Sequence, residues 1–108
     1  MRASHGFPEA SDGNAVALTQ AMVAIPSVNP ELEEGGSGEG VLARQCGVWL
    51  EGWGFTTRVQ EVAPGRWNVL ARFAGGEPGR RLILNGHLDT VGVEGMSVPR
   101  ARRGRGTD

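Results

Sequence analysis

Apolar positions in the first quarter of the chain predict a helix. They recur at a spacing of three to four residues, at Ala15, Val16, Leu18, Met22 and Val23. Ser11 or Asp12 is a suitable N-cap for this helix, and Pro26 should stop it. Because residues before proline avoid the helical region, Ile25–Pro30 is predicted to be an extended turn.

A second helix is predicted from about Glu39 to Gly52, after an acidic, glycine-rich segment that we expect to be a solvated loop (residues 31–40). Gly54 suits the end of this helix, because glycine readily adopts the left-handed conformation. Cys46 is expected to be a small core residue of the helix. The apolar side chains on or near one helix face are Leu42, Cys46, Trp49, Leu50 and Trp53.

The pattern changes from helical spacing to alternation after Gly54. Phe55–Val62 and Trp67–Ala74 are predicted strands, joined by a turn at Pro64-Gly65. Arg81–Leu84 is short and nearly all apolar, which is typical of a strand buried on both faces. Two helices followed by three strands predict an α/β fold with a mixed sheet that is incomplete within this chain.

Two side chains with metal-binding chemistry follow the third predicted strand. His87 and Asp89 lie two residues apart, so on an extended segment they face the same side. Ligands bind at such strand ends in open α/β sheets. A metal-binding imidazole needs its second nitrogen held by an acceptor, and a carboxylate does this well. On spacing alone, a histidine that only hydrogen-bonds at a strand end is the commoner alternative.

Composition narrows the class of protein further. The 108 residues, 39% hydrophobic and 21% charged, fit one globular domain. A net charge of −1 gives no general attraction to nucleic acid or membranes, and the single cysteine forms no intrachain disulfide. Without an apolar run typical of a signal peptide or membrane span, we expect a cytoplasmic protein that binds neither nucleic acid nor membrane.

Several short motifs occur in order between about Ala15 and Val98. They are PSVNP (26–30), Gly38-Glu39, VAPGR (62–66) with Asn68-Val69, and LILNGHLDTVG (82–92). So arranged, the chain resembles the acetylornithine deacetylase / succinyl-diaminopimelate desuccinylase family of zinc metallohydrolases, which includes aminoacylases and glutamate carboxypeptidases. The most specific element is NGHLDTV (85–91), which follows an apolar strand.

The resemblance implies a metallopeptidase-type catalytic domain that cleaves amide bonds of N-acyl amino acids or small peptides. It implies a site with two zinc ions, with cobalt as a possible substitute. His87 matches the first metal ligand, and Asp89 the active-site residue that orients His87. Residues 1–108 would be an N-terminal part of that domain, inactive alone, with a loose lead-in at 1–12 and an Arg-rich tail at 99–108. The complete enzyme is expected to be a homodimer that carries its general base and other ligands downstream.

The end of the sequence fits this family only in part. Gly104–Thr107 matches the opening of the family's second motif, but the metal-bridging aspartate would come one position after Asp108. Asp108 is therefore not assigned as a ligand. Two other hypotheses stay open: a non-catalytic α/β interaction module, and a nucleic-acid binder that uses the Arg-rich tail.

Overall fold

A computed structural model of the protein describes residues 8–92. It contains a 3-10 helix and two α-helices, followed by two strands that form an antiparallel sheet. The α/β class is thereby confirmed in its coarse form. The elements are the 3-10 helix Pro8–Asp12, α1 (Ala15–Val23), α2 (Gly40–Gly52), β1 (Thr56–Ala63) and β2 (Arg66–Arg72).

Helix α1 begins at a different N-cap from the one that the sequence predicted. Asn14 has an extended backbone, and its side chain accepts a hydrogen bond of 2.9 Å from the Ala17 amide. Ser11 and Asp12 lie within the preceding 3-10 helix. An N-cap needs non-helical backbone, so these two residues are not available for that role. The predicted cap is therefore wrong.

The described end of the expected lead-in is packed rather than loose. Ala10 is fully buried and belongs to the core cluster. The Trp53 indole N–H donates to the Ser11 carbonyl oxygen at 2.8 Å, which ties the 3-10 helix to the end of α2. Residues 8–12 therefore differ from the expectation, while residues 1–7 lie outside the described part.

Helix α2 and the hairpin agree closely with the sequence pattern. Helix α2 begins one residue later than predicted and is followed by Gly54 with a φ of +98°. Strands β1 and β2 lie within one or two residues of their predicted bounds and are joined by the expected Pro64-Gly65 turn. In their register Val59 lies opposite Val69, and an irregularity between Glu61 and Ala63 precedes the turn.

The core lies where helix α2 packs against the hairpin and the N-terminal helices. Leu42, Cys46 and Trp49 are buried, as their shared helix face predicted, and Leu50 and Trp53 pack around them. Burial raises the pKa of the Cys46 thiol to about 11. Within residues 8–92, no helix is long and apolar enough to cross a membrane.

The third predicted strand is not formed. Residues 81–84 carry no strand, and the side chains of Leu82, Ile83 and Leu84 are 84–86% exposed. A strand that is apolar on both faces needs cover on both sides, and the described part of the chain places none there. The first backbone pairing after this segment is an isolated parallel bridge between Val28 and Thr90.

Candidate metal-binding cleft

His87 and Asp89 lie along a cleft of about 600 Å³ beside the β1–β2 turn. The charged side chains of its described lining are Glu31, Glu39, Arg66 and Asp89. Three carboxylates therefore face one guanidinium group. This excess of negative charge favours a cationic over an anionic ligand.

The structure brings His87 and Asp89 into direct contact. Nδ1 of His87 lies 3.1 Å from Oδ1 of Asp89 and 3.0 Å from the Asp89 carbonyl oxygen. Both of these oxygens accept hydrogen bonds, so in the neutral ring Nδ1 carries the proton and Nε2 keeps its lone pair. The His87 side chain is 84% exposed and that of Asp89 only 23%. The geometry is that of an exposed imidazole whose Nδ1 is hydrogen-bonded to a carboxylate.

The second oxygen of Asp89 is held by the α1–α2 connection and the hairpin. Asn29 Nδ2 donates to Asp89 Oδ2 at 2.7 Å, and Nη2 of Arg66 lies 3.9 Å from the same oxygen. The hydrogen bond from Asn29 lowers the pKa of the Asp89 carboxyl below its ordinary value; partial burial opposes this, and His87 adds to the lowering. Asp89 is thus kept ionised as an acceptor for His87.

A buried carboxylate fixes Arg66 at the edge of the cleft. Glu39 is 4% exposed and accepts hydrogen bonds from Arg66 Nε at 3.1 and 3.2 Å and from the Trp67 amide at 2.6 Å. Glu31 accepts from Arg66 Nη1 at 2.8 Å. These contacts, chiefly the hydrogen bond to Glu39, raise the pKa of Arg66. The start of α2 and the hairpin turn are joined through this network.

Three residues of this network have no role predicted from the sequence, namely Asn29, Glu39 and Arg66. Each of them lies in one of the motifs on which the family resemblance rests. Their positions in these motifs were the sequence signal that could have indicated a role. Glu39 lies near the end of the segment (residues 31–40) that was expected to be a solvated loop. That expectation is wrong for Glu39, because its side chain is buried. Gly38 explains the close approach: its φ is +75°, and a Cβ there would lie 2.9 Å from the Gly65 carbonyl oxygen.

The described residues do not by themselves complete a metal site. Among residues 8–92, no group of three or more His, Cys, Asp and Glu side chains is placed to hold a metal ion. A catalytic zinc generally has three protein ligands. His87 fits one of these positions, because its ring is exposed and its Nε2 is left to coordinate, and Asp89 fits the partner that holds it. Gly104–Thr107 and Asp108 lie outside the described residues.

Comparison with known proteins gives partial matches to one kind of enzyme. Over 68 residues the chain is 38% identical to the acetylornithine deacetylase of Vibrio cholerae and 37% identical to that of Vibrio campbellii, which covers 63% of this chain and 17% of each relative. Its identity to the Aliivibrio fischeri enzyme is 29% over 85 residues, covering 79% of this chain and 21% of the relative.

The matched part is small compared with these relatives. The chain spans only about a fifth of their length. No family profile matches the chain, and no solved structure matches it. The similarity is therefore to a part of the acetylornithine deacetylases.

Proposed function

We propose that this chain forms part of the catalytic domain of a metal-dependent hydrolase that cleaves the amide bond of N-acyl amino acids or small peptides. One observation carries the proposal: the Nδ1 of His87 faces the Asp89 carboxylate in a cleft with excess negative charge. The partial similarity to acetylornithine deacetylases supports the reaction class. The name of those relatives makes N-acetylornithine the first substrate to test.

The proposed roles follow from hydrogen bonding within the chain. His87 binds the metal through Nε2, while Asp89 accepts a hydrogen bond from Nδ1–H and holds the ring in one tautomer and orientation. A bound zinc or cobalt ion supplies Lewis-acid chemistry, which polarises a carbonyl group and activates water. The proposal includes a second zinc ion, further ligands and a general base from outside this chain, and a cytoplasmic homodimer as the complete enzyme.

A metal titration of the full chain tests the assignment of His87. We expect weak binding of Zn²⁺ or Co²⁺, because residues 8–92 supply one imidazole ligand. His87→Ala should abolish this binding. His5→Ala changes the other histidine of the chain and serves as the matched control, with binding unchanged. Tight binding that persists in His87→Ala would contradict the proposal.

The non-catalytic interaction module is the second candidate. One observation favours it: the buried residues of the core cluster, from Ala10 to Trp49, all precede residue 81, and Leu88 packs against them while only partly buried. Such a module predicts a cooperative thermal melt without metal and without light scattering. A fragment of a larger sheet predicts poor cooperativity and aggregation, because its strand edges are unpaired.

A further inference from the structure

We infer that Asn29 is a positioning residue for the His87–Asp89 pair. It holds one oxygen of Asp89 so that the other accepts the hydrogen bond from His87 Nδ1–H. The inference rests on the proposed function in one respect, namely that a fixed His87 serves to bind a metal. Its geometric content stands on the hydrogen bonds of Asn29 itself.

Every polar group of Asn29 has a hydrogen-bond partner. Its amide donates to the Thr90 carbonyl oxygen at 2.9 Å, and its own carbonyl oxygen accepts from the Leu32 and Glu33 amides at 3.2 and 3.1 Å. Its side-chain oxygen accepts from the Glu31 amide at 2.8 Å. Its side-chain nitrogen donates to Asp89 at 2.7 Å. One residue thus joins the α1–α2 connection to both the backbone and the side chain of segment 89–90.

This position requires a side chain that both accepts and donates. The Oδ1 of Asn29 faces an N–H group, whereas its Nδ2 faces a carboxylate. A flipped amide would set oxygen against the Asp89 carboxylate and NH₂ against the Glu31 amide, so the network fixes the orientation. Aspartate has acceptors only, and alanine has neither group. Asparagine is therefore specified here by hydrogen bonding rather than by the turn alone.

The backbone around Asn29 is itself held on two sides. On one side, the Thr90 amide donates to the Ser27 carbonyl oxygen at 2.9 Å, which completes the parallel bridge at Val28. On the other side, the Val28 carbonyl oxygen accepts from the Gly38 amide at 2.8 Å. The Val28 amide donates to the Ser37 hydroxyl oxygen at 3.2 Å. The short segment 27–29 therefore gives Asp89 a fixed neighbour although residues 81–84 form no strand.

The two oxygens of the Asp89 carboxylate have different partners, and this bears on the tautomer of His87. Asn29, with Arg66 further away, holds Oδ2, and Oδ1 is left to His87 Nδ1. Loss of the Asn29 donor frees the carboxylate to rotate, and Nδ1–H of His87 then keeps only the Asp89 carbonyl oxygen as a fixed acceptor. The preference of the neutral ring for Nδ1–H should weaken. The nitrogen that should bind a metal, Nε2, would then be protonated for part of the time.

The decisive variant is Asn29→Asp in the full chain. It preserves the size of the side chain and the acceptor for the Glu31 amide, but it replaces the donor by a second carboxylate facing Asp89. We expect the neutral His87 ring to be mostly Nδ1-protonated in the unaltered chain. In Asn29→Asp the fraction of the Nδ1–H form should fall. Long-range ¹H–¹⁵N NMR of histidine-labelled protein, at a pH where the ring is neutral, measures this ratio.

Asn14→Ala is the matched control for a general loss of stability. It removes the hydrogen bond of another asparagine, the α1 cap, and should leave the His87 tautomer ratio unchanged. An unchanged ratio in Asn29→Asp, or the same change in both variants, would overturn the inference. Zn²⁺ affinity is a second readout, and it should fall about tenfold in Asn29→Asp, as is typical for loss of an outer-sphere partner.

A measurement on folded protein covers the case in which Asn29→Asp does not fold. Asp89→Asn should shift the side-chain amide signals of Asn29, whereas Glu61→Gln, which alters a carboxylate bound to the Gly65 amide, should not. Asn29 signals that ignore Asp89→Asn would refute the contact. The tautomer assay uses no metal, so it can fail while His87 still binds zinc. It can also succeed when His87→Ala leaves zinc binding unchanged, in which case only the proposed function fails.

Discussion

Helix α2 and segment 81–84 are both rich in apolar residues, yet only the helix buries a face of them. In α2, Leu42, Cys46 and Trp49 share one face and are at most 8% exposed. In segment 81–84, the three apolar side chains are all at least 84% exposed. The two regions differ in pattern rather than in hydrophobicity.

That difference shows what an amphipathic element can achieve within a short chain. Helix α2 has one apolar face, which the hairpin and the N-terminal helices cover. Its exposed face carries Arg44 and Glu51 as well as Val41 and Val48. A segment that is apolar on both sides gains burial only when layers cover both of its faces. The described residues form one packed layer, around α2, and none of them covers both faces of segment 81–84. Segment 81–84 therefore has strand composition without strand structure.

The largest expected effect compares the same substitution in the two regions. Leu42→Ala removes a side chain that is 3% exposed and should lower the free energy of unfolding by about 2–5 kcal/mol. Leu84→Ala removes one that is 86% exposed and should change it by less than about 0.5 kcal/mol. Urea unfolding followed by tryptophan fluorescence measures both.

The two leucine variants can also contradict the contrast between α2 and segment 81–84. Equal losses would mean that Leu84 is buried in solution. A loss for Leu84→Ala that grows with protein concentration would assign the cover to another copy of the chain. Either result would remove the contrast between the two regions.

Local patterns predicted the front of the fold well and the candidate site only in part. The period of the apolar positions located α2 and both strands to within two residues, because their partners are near in sequence. The pairing of His87 with Asp89 was expected from their spacing. The contact from Asn29 to Asp89 spans 60 positions, and the one from Glu39 to Arg66 spans 27. No local periodicity encodes contacts of that kind, so these residues were recognised only as parts of motifs.

The buried thiol of α2 gives a pH test of the packed region. The pKa of Cys46 rises from 9.0 to about 11 on burial. The thiol therefore stays protonated in the folded chain while the unfolded chain ionises, and stability that is complete below pH 9 is lost as the pH rises toward 11. We expect the free energy of unfolding to fall by about 1–2 kcal/mol as the pH rises from 9 toward 11. Urea unfolding at each pH measures this change.

The composition of the chain makes this titration unusually easy to assign. The sequence contains no lysine and no tyrosine, so Cys46 is the side chain that titrates in this range. Cys46→Ala is the control, and its stability should be flat over the same pH range. A slope that survives in Cys46→Ala would show that the alkaline loss has another origin.

The smallest expected effect concerns the boundary between the 3-10 helix and α1. Asn14→Ala removes the observed cap and leaves the Ala17 amide without its acceptor, so the free energy of unfolding should fall by about 1 kcal/mol. Ser11→Ala and Asp12→Ala alter the caps that the sequence favoured, and each should cost less than about 0.5 kcal/mol. Ser11→Ala keeps the carbonyl oxygen that accepts from Trp53. If Asp12→Ala instead lowers the free energy of unfolding as much as Asn14→Ala does, α1 begins earlier in solution. The N-cap would then be the one that the local sequence predicted, as the bounds of α2 and the strands were.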